Sequence, residues 1–317
     1  MIVIISKGKR IYSTRRLYDE ARARGAKVRV LSPFACKLLL GCGDGAAAAS
    51  SRPHASCPAN GAHSIVRGTR AVRPGRRGGT VIPRIGASVT DFGLALLTQF
   101  EMLGFRVLNR AIAFHLARNK LLALQTLSAA GIRVPRTVMS RDRTDLDAMV
   151  DRVGGFPLVL KLTTGTQGVG VMIAESMEAM RSALDALWGL GQNILIQQYV
   201  REAAGRDVRV VVVGGRPVAA FRRIARSGEF RSNLHRGGKG ESIVPAGDLA
   251  DIAVASASAL GLLVAGVDIL ESGEGPMVME VNASPGLRGA ERVTGANVAG
   301  AIVDLALERP REQGGTP

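Results

Sequence analysis

Short apolar runs with a two-residue period alternate along this chain with longer stretches whose apolar positions repeat at helical spacing. "MIVIIS", "RRLYDEARARG" and "KVRVLSP" read as strand, helix and strand, with Gly25 closing the helix and Pro33 ending the second strand. The turn after the first strand, "SKGKRIYS", lacks G-x-G-x-x-G and gives dinucleotide binding little support. "TVIPRIGAS" predicts a strand and turn, and "DFGLALLTQFEMLG" an amphipathic helix ending at Gly104. A helix follows from about Asn119 to Gly131, then an extended segment begun by proline, then the helix "DLDAMVDRVGG". "FPLVLKLTTGTQGVGVMIAES" predicts a hairpin around a Gly and Thr loop, and "MEAMRSALDALW" a helix. "NILIQQYV" is a strand, and "DVRVVVVGGRPVAAFRRIA" is two strands around a Gly-Gly turn. A polar loop, the helix "DLADIAVASASALGL" and the hairpin "LVAGVDILESGEGPMVMEVNASPG" complete the pattern. The alternation predicts an α/β opening followed by α+β structure with much antiparallel sheet.

Residues 41 to 79 break the pattern. They are rich in Gly, Ala and Arg, contain one acid, Asp44, and show no sustained period, so an irregular, mobile excursion is expected, with a short strand at "HSIVRG". Cys36, Cys42 and Cys57 have no C-x-x-C spacing and read as plain thiols. The apolar runs are too short to span a bilayer and the opening has no secretory layout, so a soluble cytoplasmic protein without membrane partners is expected. A formal charge of +16 and a pI near 11.0 favour an anionic partner. Aromatics are only 4% and do not interleave with basic residues, so direct nucleic-acid readout is not expected.

The candidate chemistry begins in "VMEVNASPGL". Glu280 and Asn282 lie two apart in a strand and so share a face. Asp268 ends the preceding strand, and the turn "ESGEGP" returns the chain so that Asp268 can lie across from Glu280. Three oxygen donors on one hairpin suit Mg²⁺ whose remaining ligands are phosphates; a solvated sheet face is the alternative. Lys161 ends a strand ahead of a loop containing Gly165, Gly168 and Gly170, whose backbone N–H groups can approach anionic oxygens. An ordinary flexible turn would read the same. Gln197 and Gln198 end an apolar strand, and with Tyr199 and Val200 they suit an adenine ring or form an ordinary strand exit. Asp207 can accept from ribose or orient a basic neighbour. Arg222, Arg223, Arg231, Asn233, His235 and Arg236 form a neighbourhood suited to phosphate or carboxylate, or a solvated loop. No G-x-S-x-G is present, and nucleophilic hydrolysis has little support.

Together, "VIPRIG", "QFEMLG", "PLVLKLTTGTQGVGV", "FRSNLHRGG", "AGVDIL" and "VMEVNASPGL" resemble the RimK family of the ATP-grasp superfamily over roughly residues 80 to 305, and "YSTRRL" extends the likeness toward the start. The resemblance implies an α/β N-terminal domain over 1–103, carrying the irregular 41–79 excursion. It implies central and C-terminal ATP-grasp subdomains over 104–190 and 191–310, with ATP clamped between two sheets, and a tail over 311–317. It makes Lys120 and Lys161 phosphate contacts, and Thr166, Gln167, Gly168, Val169 and Gly170 a lid over the phosphates. Gln198, Tyr199 and Val200 become the adenine side, Asp207 lies at the nucleotide, and Arg231 contacts phosphate. Asp268, Glu280 and Asn282 hold Mg²⁺, as two ions for which Mn²⁺ can substitute. Two positions depart from close relatives: Gln198 where they carry glutamate, and Asn119 where they carry aspartate.

The implied reaction joins a carboxylate to an amine through an acyl phosphate, with Lys161 and Arg231 stabilising charge and no covalent enzyme nucleophile. Arg222, Asn233, His235 and Arg236 are candidates for the acceptor side. The implied partners are ATP, L-glutamate and an acidic protein or peptide C-terminus, that of ribosomal protein S-six or a poly-α-glutamate chain; a homo-oligomer is allowed. Alternatives are a related ligase acting on a coenzyme or an amino-group carrier protein, and a non-catalytic, ribosome-associated ATP-binding factor.

Overall fold

The computed structural model describes residues 1–40, 63–67, 70–72, 78–86, 90–141, 144–163, 170–226 and 237–308. The chain divides into two compact units, Met1–Ile112 together with the segment from Asn297 on, and Ala113–Ala296.

The first unit runs β1 (Ile2–Ser6), α1 (Tyr12–Ala23), β2 (Val28–Leu31), β3 (Lys37–Leu40), β4 (His63–Arg67), β5 (Arg70–Val72), β6 (Thr80–Arg84), α2 (Thr90–Met102) and β7 (Arg106–Val107). β1, β2, β6 and β7 form a parallel sheet in the order β2-β1-β6-β7. β1 is buried along its whole length, as a central strand of a parallel sheet requires. Thr14, Leu17 and Ala21 are buried at helical spacing on α1. The strand expected at "HSIVRG" is present as β4. It belongs to an antiparallel sheet, β3-β4-β5, that the irregular composition of residues 41 to 79 had hidden. The buried amide of Gln99 ties this sheet to α2 by donating to the Leu39 and Ser64 carbonyls at 3.0 and 2.8 Å. Cys36 is buried, and burial pushes its thiol up; Cys42 and Cys57 lie outside the described residues.

The second unit holds two antiparallel sheets. α3 (Ala111–Arg118) leads in, and α4 (Lys120–Ala129), β8 (Thr137–Met139), α5 (Leu146–Val153), β9 (Leu158–Leu162), β10 (Val171–Ala174), α6 (Met177–Gly189) and β11 (Ile194–Gln198) follow. The strands pair in the order β10-β9-β11-β8. One face of this sheet, through Leu158, Leu160, Ile194 and Ile196, packs on Val150 and Val153 of α5 and Met180 and Leu184 of α6. The opposite face carries Lys161 and Gln197, because side chains alternate along each strand.

β12 (Arg206–Val213), β13 (Arg216–Ile224), β14 (Lys239–Ile243), α7 (Gly247–Ala259), β15 (Val264–Ser272), β16 (Gly275–Asn282) and α8 (Leu287–Thr294) complete the second unit. Its larger sheet has the order β14-β13-β12-β15-β16. The expected Gly-Gly hairpin joins β12 to β13, and Gly214 and Gly215 have φ of 58° and 74°, the left-handed pair that a two-residue turn demands. The last helix, α9 (Val298–Leu307), returns to the first unit and packs on α1, where Arg24 Nε donates to Asp304 at 2.5 Å. No helix among the described residues is long and apolar enough to cross a membrane.

Candidate active site

The hairpin of β15 and β16 sets Asp268 directly opposite Glu280, and Gly266 opposite Asn282. Paired residues of an antiparallel ladder share a face, so Asp268, Glu280 and Asn282 point to one side of the sheet. A bulge after Asp268 skips Met279, so Ile269 pairs with Val278. Gly266 is required beside this group, since a Cβ there would lie 2.8 Å from Cβ of Pro285. Two carboxylates and an amide oxygen form a hard donor set that fits magnesium when phosphates supply further ligands. Among the described residues no group of three or more His, Cys, Asp and Glu side chains gathers as a metal site.

The same face carries two arginines that sequence reasoning had not placed at the metal donors. Asp268 faces Arg209 across β12, and Asp207 faces Arg223 across β13. Arg209 donates to both Asp268 oxygens, at 2.6 and 2.5 Å. Arg223 bridges the aspartates, reaching Asp207 at 2.5 Å and Asp268 at 3.0 Å. Burial pushes the Asp268 carboxyl up, but the Arg209 and Arg223 guanidiniums more than reverse this and hold it below the usual carboxylate value. Burial likewise opposes the charge of Arg223, and Asp268 and Asp207 raise its pKa above the ordinary arginine value. Asp207 thus pairs with a basic neighbour, Arg223.

On the smaller sheet, Lys161 Nζ donates to Gln197 Oε1 at 2.6 Å, and Gln197 Nε2 donates to Thr137 Oγ1 at 2.7 Å. Gln197 is 2% exposed, so it fixes the ammonium from beneath. Desolvation pushes Lys161 down to about 8; Glu280 and Asp268 oppose that shift, and Lys120 adds to it. The lysine on one sheet and the carboxylates on the other thus feel each other's charge. Lys120 is the first residue of α4, and Asn119 caps that helix by accepting from the Leu121 and Leu122 amides at 3.1 and 3.2 Å. An amide oxygen serves this cap as a carboxylate would, which accounts locally for Asn119.

Gln198 ends β11, where its Oε1 accepts from the Arg136 backbone N–H at 3.1 Å. Tyr199 is half-buried beside it, and Val200 is buried with Ala203 and Met277. Gly170 has φ +75°, and a Cβ on it would meet Leu162 Cδ1 at 2.6 Å, so this end of the loop demands glycine. Thr166, Gln167, Gly168 and Val169 lie outside the described residues, as do Arg231, Asn233, His235 and Arg236. Arg222 does not join the carboxylate group. Alternation along β13 turns it to the face opposite Arg223, where it pairs with Glu271 at 3.0 and 2.8 Å beside a cavity of about 520 Å³.

Known proteins agree with this fold. Residues 117–306 match the RimK-like ATP-grasp domain, and residues 1–56 and 64–114 match the RimK PreATP-grasp domain. A probable alpha-L-glutamate ligase of Thioalkalivibrio sulfidiphilus is 44% identical over 310 residues, covering 98% of this chain and 96% of its own. Probable alpha-L-glutamate ligase 1 of Shewanella amazonensis is 42% identical over 317 residues, covering 99% of this chain and 98% of its own. Among solved structures, the ATP-grasp ligase PsnB, complexed with a phosphomimetic variant of its minimal precursor, Mg and ADP, superposes with a TM-score of 0.69 at 21% identity. That match covers 96% of this chain and 97% of PsnB. The chain is an ATP-grasp protein of the ligase class. It belongs to the RimK family.

Proposed function

We propose that this protein is an ATP-dependent ligase that adds L-glutamate to a carboxylate-terminated acceptor through an acyl phosphate. The observation that carries this reading is the register of Asp268 with Glu280, which presents two carboxylates and the Asn282 amide on one face. Magnesium held by these three would offset the charge on a transferring phosphoryl group. Lys161, held by Gln197 and within electrostatic reach of Glu280, contacts the same phosphates as an ammonium. Lys120 adds a second cation from the start of α4, and Arg231 a third. The lid over 166–170 excludes water from the acyl phosphate. Gln198, Tyr199 and Val200 take the adenine. Asn233, His235 and Arg236 are the proposed contacts for the acceptor.

A carboxylate is a poor electrophile, so phosphorylation must precede attack by the glutamate amine, and phosphate then leaves. Amide formation needs no nucleophile from the protein. The names of the two relatives support glutamate as the added amino acid. The charge of +16 supports an acidic acceptor, for which the C-terminus of ribosomal protein S-six and a growing poly-α-glutamate chain are the two candidates. Incubating the protein with ATP, Mg²⁺, each amino acid in turn and a peptide ending in glutamate tests this by mass spectrometry. Glutamyl increments with glutamate alone are expected; increments with another amino acid, or none with any, would refute the reading.

A further inference from the structure

The proposed metal donor Asp268 is already engaged on both oxygens, and the two arginines that engage it differ in their freedom to leave. The Arg223 side chain is 5% exposed and bridges two buried aspartates, so displacing it would break two buried ion pairs at once. The Arg209 side chain is 18% exposed, and its hydrogen bonds among the described residues go to Asp268 alone. Asp207, Arg223, Asp268 and Arg209 also sum to zero charge, so among the proposed donors the attraction for a free divalent cation rests on Glu280. A cation at Asp268 competes with the guanidiniums for the same two oxygens, and a guanidinium that yields then needs another anion.

We infer that Arg209 gates the metal site: it holds Asp268 until nucleotide phosphates draw its guanidinium away, so the cation enters with nucleotide and not alone. This rests on the proposed metal-binding role of Asp268, Glu280 and Asn282. Two like charges compete for one carboxylate, and a polyphosphate relieves the competition by giving the displaced guanidinium a partner of its own. Metal and nucleotide then favour each other's binding reciprocally, and Arg209 carries that coupling.

Manganese binding, followed by the paramagnetic resonance of free Mn²⁺, tests this with no turnover involved. Wild type, Arg209→Met, Arg209→Lys and Glu280→Gln are titrated with and without a non-hydrolysable ATP analogue. Arg209→Met is expected to bind Mn²⁺ without nucleotide roughly tenfold more tightly than wild type, a factor ordinary for coupled sites, and to lose most of the enhancement by nucleotide. Arg209→Lys, with one contact in place of two, should fall between, and it decides the matter if the methionine variant does not fold. Nucleotide-free binding no tighter than wild type in the folded variants would overturn the gate. Glu280→Gln separates the two levels: unchanged Mn²⁺ binding with the analogue would place the metal elsewhere and sink the site assignment itself. Weakened binding there, with unchanged Arg209 variants, would sink the gate alone.

Discussion

Lys161 and Gln197 are joined by a 2.6 Å hydrogen bond from the ammonium to the buried amide oxygen, across neighbouring strands of the smaller sheet. The pairing aims the lysine while burial desolvates it, and its pKa falls from 10.5 to about 8. The unfolded chain keeps this proton to about pH 10.5 and the folded chain only to about 8, so the group costs stability below pH 8, and the cost fades as pH rises through that window.

Nucleotide binding has the opposite sign. Phosphates favour the ammonium, so binding takes up a proton above pH 8 and weakens as pH rises, by up to about tenfold per unit. Calorimetric titration of metal-free nucleotide at pH 7 and pH 9, in buffers of different ionisation enthalpy, reads both affinity and proton uptake. Lys161→Arg should flatten the profile. Equal wild-type affinity at both values would contradict the assignment of Lys161 to phosphate.

Arg223 is expected to be structural as well as electrostatic. Arg223→Met leaves Asp207 without its 2.5 Å partner and Asp268 with one arginine, and breaking a buried pair costs about 3–5 kcal/mol. Thermal unfolding should show a clear drop in midpoint. A midpoint equal to that of wild type would show that the bridge contributes nothing.

Arg222 should behave in the contrary way. Its pair with Glu271 is 30% and 44% exposed and lies on the other face of the sheet, where such pairs contribute about 0–1 kcal/mol. Arg222→Gln should leave KM for ATP and for acceptor within about twofold of wild type. A selective rise in the acceptor KM would restore it to the substrate site.

The pairing of Asp268 with Glu280 was legible because the two-residue period and the short turn between them leave few registers that bury Val267 and Val281. Asp207 was legible only as alternatives. Arg209 was not singled out and Arg223 was read only as part of a basic neighbourhood, since they sit in "DVRVVVV" and "AAFRRIA", where alternation shows a face but not its occupant. The partner of Arg209, Asp268, is 59 residues away and meets it only through the pairing of β12 with β15. Gln197 read as a strand exit because the strand beside it, which carries Lys161, is likewise set by sheet order. The sheet of β3, β4 and β5 was hidden for another reason: Gly- and Arg-rich composition masks a short strand whose stability comes from its neighbours.

The most direct measurement is the rate at which Glu280→Gln adds glutamate to a glutamate-terminated peptide, followed by mass spectrometry beside the wild type at saturating ATP and Mg²⁺. The substitution removes one charge opposite Asp268 and keeps the volume, so the fold should stand while ligation falls by at least about a hundredfold. Turnover near the wild-type rate would contradict the claim that the Asp268 and Glu280 hairpin is where this ligase handles its phosphates.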